Sequence, residues 1–143
     1  MIPGDVFVKK LILFAAAALV IALVPKLGFT EDQNTVRMAK VIYAMAGDAS
    51  YEVKLAVGGV IMNRVQDPWF PATLEDVLKE KHQFPAGSRY DEASLSAARD
   101  AMAGRSGLAK QIVFVSVPDG SVPSGAEAAG SIDGYTFFEK ANG

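Results

Sequence analysis

Few side chains in this sequence have the types and spacing that chemistry requires. There is no cysteine, which excludes thiol nucleophiles, disulfides, lipid anchoring through cysteine and cysteine-based zinc sites. The single histidine, His82, stands in a polar loop beside Gln83, where a solvated side chain is expected rather than a catalytic one. No cluster with metal-ligand spacing is visible, so neither a metal nor another cofactor is expected. No glycine-rich phosphate loop is present either. What remains is a set of carboxylates, aromatic rings and amides, among them Asp48, Glu52, Tyr51, Trp69 and Asn63, whose spacing alone names no reaction. Trp69 lies in a loop next to proline, where an aromatic ring is as often structural as binding.

The elements that must position these groups are clearer. Asn34 or Thr35 can cap a helix with apolar positions at Val36, Ala39, Ile42, Tyr43 and Ala46, and Gly47 ends it. Ser50 starts a second helix whose stripe is Val53, Ala56, Val57, Val60 and Ile61. Leu55, Gly58, Gly59 and Met62 add little polarity, so this helix should be buried nearly all round and form the core. The Gly58-Gly59 pair costs about 1 kcal/mol of helix propensity per glycine and is tolerable where another backbone comes close. Asp67-Pro68 and Phe70-Pro71 force a loop. Thr73 opens a short third helix with a capping-box pattern, running to about Glu80. A polar loop follows to Arg89, then an amphipathic helix from Asp91 to Ala103 that stops at Gly104.

After that helix the character changes. Residues 111–117, QIVFVSV, are the clearest strand, Pro118 to Ser131 reads as a loop, and Gly134 to Phe138 is a second strand able to pair antiparallel with the first. Helices first and a small sheet last predict an α+β fold, a helical core with a small antiparallel sheet near the C-terminus.

Length and charge bound the partners. At 143 residues one domain is expected, and half the residues are hydrophobic, which excludes a disordered chain. The formal charge of −2 gives no general pull toward nucleic acid or anionic lipid. Lys9 and Lys10 precede an uncharged run from Leu11 to Pro25, the pattern of a secretory signal or a membrane anchor. The run is short for a full span unless Val6, Phe7 and Val8 extend it while the lysines snorkel. Ala22-Leu23-Val24 is a poor cleavage site, so an uncleaved anchor is favoured over a cleaved signal, and either over a buried core helix. Residues 1–29 are thus expected to be a hydrophobic N-terminal helix serving as signal or anchor, and residues 30–143 an exported domain. Removing 1–29 takes away three lysines and one aspartate and leaves a net charge of −4.

One segment goes further. Residues 39–65 read AKVIYAMAGDASYEVKLAVGGVIMNRV and resemble the opening block of the SleB-type cell-wall hydrolases. Ile42-Tyr43, Ala46, Ser50-Tyr51-Glu52, Ala56-Val57, Val60-Ile61 and Asn63-Arg64-Val65 match it without a gap. Phe70-Pro71 followed by Leu74, Val77-Leu78 and Gln83-Phe84 resembles a second block. Ser96 to Ala101 with Gly104 resembles a third, and Ile132 to Phe138 a terminal one. The resemblance covers about residues 35–140. It implies a lysozyme-like domain that cuts peptidoglycan glycan strands of bacterial cell wall or spore cortex. It also implies a cell-envelope location, membrane-anchored or secreted, and a bacterial or phage origin. Tyr43, Tyr51, Asn63, Gln83, Phe84 and Tyr135 become candidate substrate-binding residues, and Trp69 and Tyr51 candidate sugar-stacking rings.

The departures from the family pattern gather at the cleft. Family members use a glutamate in the first block as general acid, and burial beside apolar side chains lets such a carboxyl hold its proton. Counting back from Ser50, that position is Met45, and a thioether has no proton to give. The second acidic position falls on Ala49, and a C-terminal histidine on Tyr135. Asp48 and Glu52 are the nearby carboxylates that could substitute, although Glu52 also fits a plain first-turn residue favoured by the helix dipole. For Arg64, a packing and dipole role at the helix end is favoured over a substrate contact. Two functions follow from the resemblance: a glycan hydrolase or lytic transglycosylase with a relocated acid, and a degenerate member that binds peptidoglycan or a partner protein without cutting.

Overall fold

The structure is a computed structural model in which residues 31–80 and 82–142 are described. The signal or anchor read in residues 1–29 lies outside the described residues. Among those described, no helix is long and apolar enough to cross a membrane.

Four helices come first. Helix α1 spans Gln33–Ala46, α2 Tyr51–Gln66, α3 Leu74–Leu78 and α4 Glu92–Met102. The capping signals hold for three of them. The Ser50 hydroxyl accepts from the Val53 N–H at 3.4 Å, Thr73 from Asp76 at 3.2 Å and Asp91 from Ser94 at 2.8 Å. Helix α1 departs from expectation: its N-cap is Asp32, not Asn34 or Thr35. Thr35 is buried inside the first turn, and its hydroxyl donates to the Met102 sulfur on α4 at 3.4 Å. Helix α3 stops at Leu78, short of Glu80, because Glu80 leaves the helical path to meet Arg64 at 3.4 Å.

Helix α2 is the axis of the fold. It packs against α1, α3, α4 and the first strand, and its residues from Val53 to Ile61 are all buried. The glycine pair is explained by what lies beside it. A Cβ on Gly58 would stand 2.7 Å from the Ala101 Cβ of α4, and one on Gly59 2.7 Å from the Ser106 hydroxyl. Helix α4 at Gly58, and the segment that follows it at Gly59, come close enough that only hydrogen fits at these positions.

The sheet has three strands, β1 Ile112–Ser116, β2 Ala126–Ile132 and β3 Tyr135–Lys140, in the order β1-β3-β2 with both pairs antiparallel. β1 and β3 are the two strands expected from the sequence. β2 corrects the reading of residues 118–131 as loop. Its AEAAGSI composition is poor in β-branched residues, and tertiary pairing overrides that weak propensity. The missed signal is Asp133-Gly134. Both residues have positive φ, 50° and 86°, and they join Ile132 to Tyr135 as a two-residue hairpin turn. Phe137 and Phe138 of β3 and Val113 of β1 are buried, whereas β2 buries only Ile132. The β1–β3 pair therefore closes the core, and β2 is an edge.

The close crossing at Gly58 yields a test. Alanine there gains about 1 kcal/mol of helix propensity but loses about 1–3 kcal/mol to overpacking against Ala101. Gly58→Ala should lower the urea midpoint with an unchanged slope, whereas alanine at the exposed position Gln66 of the same helix should leave it within experimental error.

Candidate functional site

The end of α2 carries a buried arginine. Arg64 is 2% exposed, and its guanidinium lies within 4.6, 4.9 and 5.1 Å of the Phe70, Phe84 and Phe114 ring centroids. Its Nε donates to the Val113 carbonyl at 2.6 Å, one Nη to the Gln83 Oε1 at 3.0 Å, and the other faces Glu80 at 3.4 Å. Burial pushes the guanidinium below its usual pKa, and Glu80 pulls it back up. Helix α2, the 82–85 loop and β1 are thereby tied to one side chain. Asn63 beside it is buried too, its amide donating to the Ala109 and Ile112 carbonyls at 2.8 and 2.9 Å, so it anchors the entry to β1.

Above this post lies an open groove of about 510 Å³. Met45 and Ala44 at the end of α1 form one wall, His82 to Pro85 another, and Phe114 to Ser116 of β1 with the following Val117 the third. None of the residues lining it carries a carboxylate. The loop between α1 and α2 is fixed from two sides. The Tyr135 hydroxyl donates to the Met45 carbonyl at 2.8 Å. Lys54, 3% exposed, donates to the Gly47 and Ala49 carbonyls at 3.0 and 2.6 Å, a cation at the negative end of α1. The Ser50 hydroxyl donates to Asp133 at 2.9 Å, which joins this loop to the β2–β3 turn. Burial, and then the charge of Asp48, raise the Tyr135 phenol above its usual pKa.

The candidate residues from the sequence separate into two groups. Gln83, Phe84 and Met45 line the groove, with His82, and Tyr135 supports Met45 from beneath. Asp48 is exposed and outside the lining, and Glu52 sits half-buried in the first turn of α2. Three others are engaged elsewhere. Asn63 holds β1, and the Tyr51 hydroxyl donates to Asp100 on α4, which also accepts from Arg105 at 3.0 Å. Tyr43 lies outside the lining, with the Arg89 guanidinium 5.5 Å from its ring. Arg64 has the packing role expected, and in addition orients Gln83. The residue to which sequence reasoning gave no role is Lys54, whose signal was a cation opening a helix that is apolar from Leu55 to Met62. Among the described residues no group of three or more His, Asp or Glu could hold a metal ion.

Residues 48–135, more than half of the chain, match the family described as Cell Wall Hydrolase. The chain belongs to that family. The match begins three residues past Met45, so the assignment of Met45 to the family's acid position rests on the register counted from Ser50. Two solved structures are similar to this cell wall hydrolase domain. One is the catalytic domain of the germination-specific lytic transglycosylase SleB from Bacillus anthracis, with a TM-score of 0.67 and 23% identity over 79% of this chain and 100% of that one. The other is the catalytic domain of the Bacillus cereus SleB protein, with a TM-score of 0.64 and 22% identity over 78% and 94% of the two chains. They establish that the helical core and small sheet form a SleB-type fold. No curated protein matches the sequence.

Two outcomes are expected from this geometry. Lysine cannot reproduce the flat fork of Arg64, which satisfies a backbone carbonyl and two side chains at once. Arg64→Lys should cost about 3 kcal/mol in chemical denaturation and raise amide exchange in the 82–85 loop; exchange confined to that loop at unchanged stability would show the arginine to be a local clamp only. The second concerns Tyr51, whose phenol is raised by burial first and by Asp100 second. In the unfolded chain it titrates near pH 10. A folded pKa above that value adds stability that is complete below about pH 10 and is lost as pH rises toward the folded value. Tyr51→Phe should therefore flatten the alkaline fall in Tm relative to the parent, and parallel curves would contradict the coupling to Asp100.

Proposed function

We propose that this domain acts on the glycan strands of peptidoglycan, held in the groove between Met45, the 82–85 loop and β1. The observation that carries the reading is convergence. Met45 of the first sequence block and Gln83-Phe84 of the second, far apart in the chain, line one open groove, and Tyr135 of the terminal block holds Met45 in place. The substrate lies outside the cytoplasm, so residues 1–29 act as the signal or anchor that delivers the domain to the cell wall or spore cortex.

Cleavage of a glycosidic bond needs a proton delivered to the leaving oxygen. In the hydrolytic reading Asp48, exposed three residues past Met45 in the loop between α1 and α2, supplies it, with Glu52 the other carboxylate of the segment. A second reading, in which the strand is bound and not cut, rests on the absence of a carboxylate among the described residues that line the groove. Met45 then fills the acid's place with a side chain of similar length that cannot protonate.

Turbidity loss and muropeptide release from purified sacculi and cortex separate the readings, using the chain from Thr30 onward. Cutting by the unaltered domain that Asp48→Ala or Glu52→Ala abolishes assigns the acid to that residue, with a loss of about 100-fold or more expected for removal of a general acid. Cutting only after Met45→Glu means an intact groove in a binding protein. Retention on sacculi without cutting by any variant supports binding alone, and neither cutting nor retention overturns the peptidoglycan assignment.

A further inference from the structure

We propose that Trp69 is a sugar-stacking subsite that extends the groove, taking an N-acetylhexosamine ring of the same glycan strand; the inference rests on the peptidoglycan reading above. Trp69 is 78% exposed, the most exposed large hydrophobic residue among those described. It is nonetheless held. Its backbone N–H donates to Asp67 Oδ1 at 2.8 Å, and Asp67 pairs with Lys140 at the end of β3 at 2.8 Å. The Lys140 ammonium in turn stands 4.7 Å from the indole centroid. With so much of its surface in water, the ring has at most one face covered by Lys140. A rigid, wetted indole face is the surface that packs on the C–H face of a pyranose.

Continuity identifies the occupant. The next residue, Phe70, packs edge-on against Phe114 with centroids 6.1 Å apart and planes at 73°, and covers Arg64. Phe114 and Arg64 both line the groove. Trp69 is therefore joined to the groove through Phe70 and then Phe114, and a strand running out past Phe114 brings a neighbouring sugar toward the indole. A lipid surface fits less well: Asp67 neutralises the adjacent cation, and residues 30–143 carry a net charge of −4.

Trp69 is the only tryptophan in the chain, so its emission reports on this subsite alone. The full chain is titrated with peptide-free glycan oligosaccharides prepared from purified sacculi, with dextran and anionic lipid vesicles as controls, and retention on sacculi is measured in parallel. Saturable change in emission with the glycan and not with dextran is expected. Trp69→Ala should weaken retention about three- to tenfold, Trp69→Tyr should keep most of it, and neither should shift the unfolding midpoint. Sacculi retained equally by the parent and Trp69→Ala, with unchanged emission, would overturn the subsite and leave the peptidoglycan reading standing. Absence of retention by every variant overturns both. Emission that responds to vesicles and not to glycan makes Trp69 a membrane contact and overturns the subsite.

Discussion

A guanidinium enclosed by three phenyl rings is costly to desolvate, and the rest of this domain is arranged around that cost. Arg64 recovers it through a backbone carbonyl of β1, the Gln83 amide oxygen and the Glu80 carboxylate. Each partner is thereby given a place it would not hold alone. Glu80 is drawn out of α3, ending that helix early. Gln83 and Phe84 are held as a groove wall although they sit in an irregular loop. β1 is registered against α2 by the Val113 carbonyl, and its pairing with β3 then sets the position of Tyr135, which reaches back to Met45. One buried charge thus connects both walls of the groove.

The same economy governs the other side of the cleft. The loop between α1 and α2 contains Gly47, Asp48 and Ala49, a stretch with little side chain to pack, and it is held through its carbonyls. Lys54 and Tyr135 supply the donors. A loop fixed by its backbone leaves the exposed Asp48 side chain free to differ without moving the chain, whereas Met45 and Ala49 also pack against the core.

Much of this was legible in the sequence, for identifiable reasons. Helix α2 declared itself because its apolar positions run nearly all round it, and its glycine pair announced a close crossing that Ala101 and Ser106 supply. Ser50, Thr73 and Asp91 marked helix starts through a chemistry that acts within three residues. What the sequence hid depends on distant partners. β2 has a composition that would not form a strand by itself and exists because β3 offers it an edge. Thr35 resembles a cap but is claimed by a sulfur on α4. Tyr51 and Asn63 match the family pattern, which marks them as important without saying whether they face substrate or core, and their hydrogen bonds place both in the scaffold.

That division bears on how the site is to be understood. The matched positions fall into two sets with different physical duties. Asn63, Arg64, Tyr51 and the apolar stripe of α2 fix the backbone, and a change in any of them is felt as lost packing or an unpaired buried group. Met45 is held through its carbonyl by the Tyr135 hydroxyl, and its partly buried side chain packs against the core beside the groove. The hydrogen bond from Tyr135 asks nothing of the side chain at 45, so the backbone there is held by the same donor whichever residue stands at that position. Fold and chemistry are therefore carried by different residues here: α2 and its partners hold the scaffold, and the side chains lining the groove answer to what the groove holds.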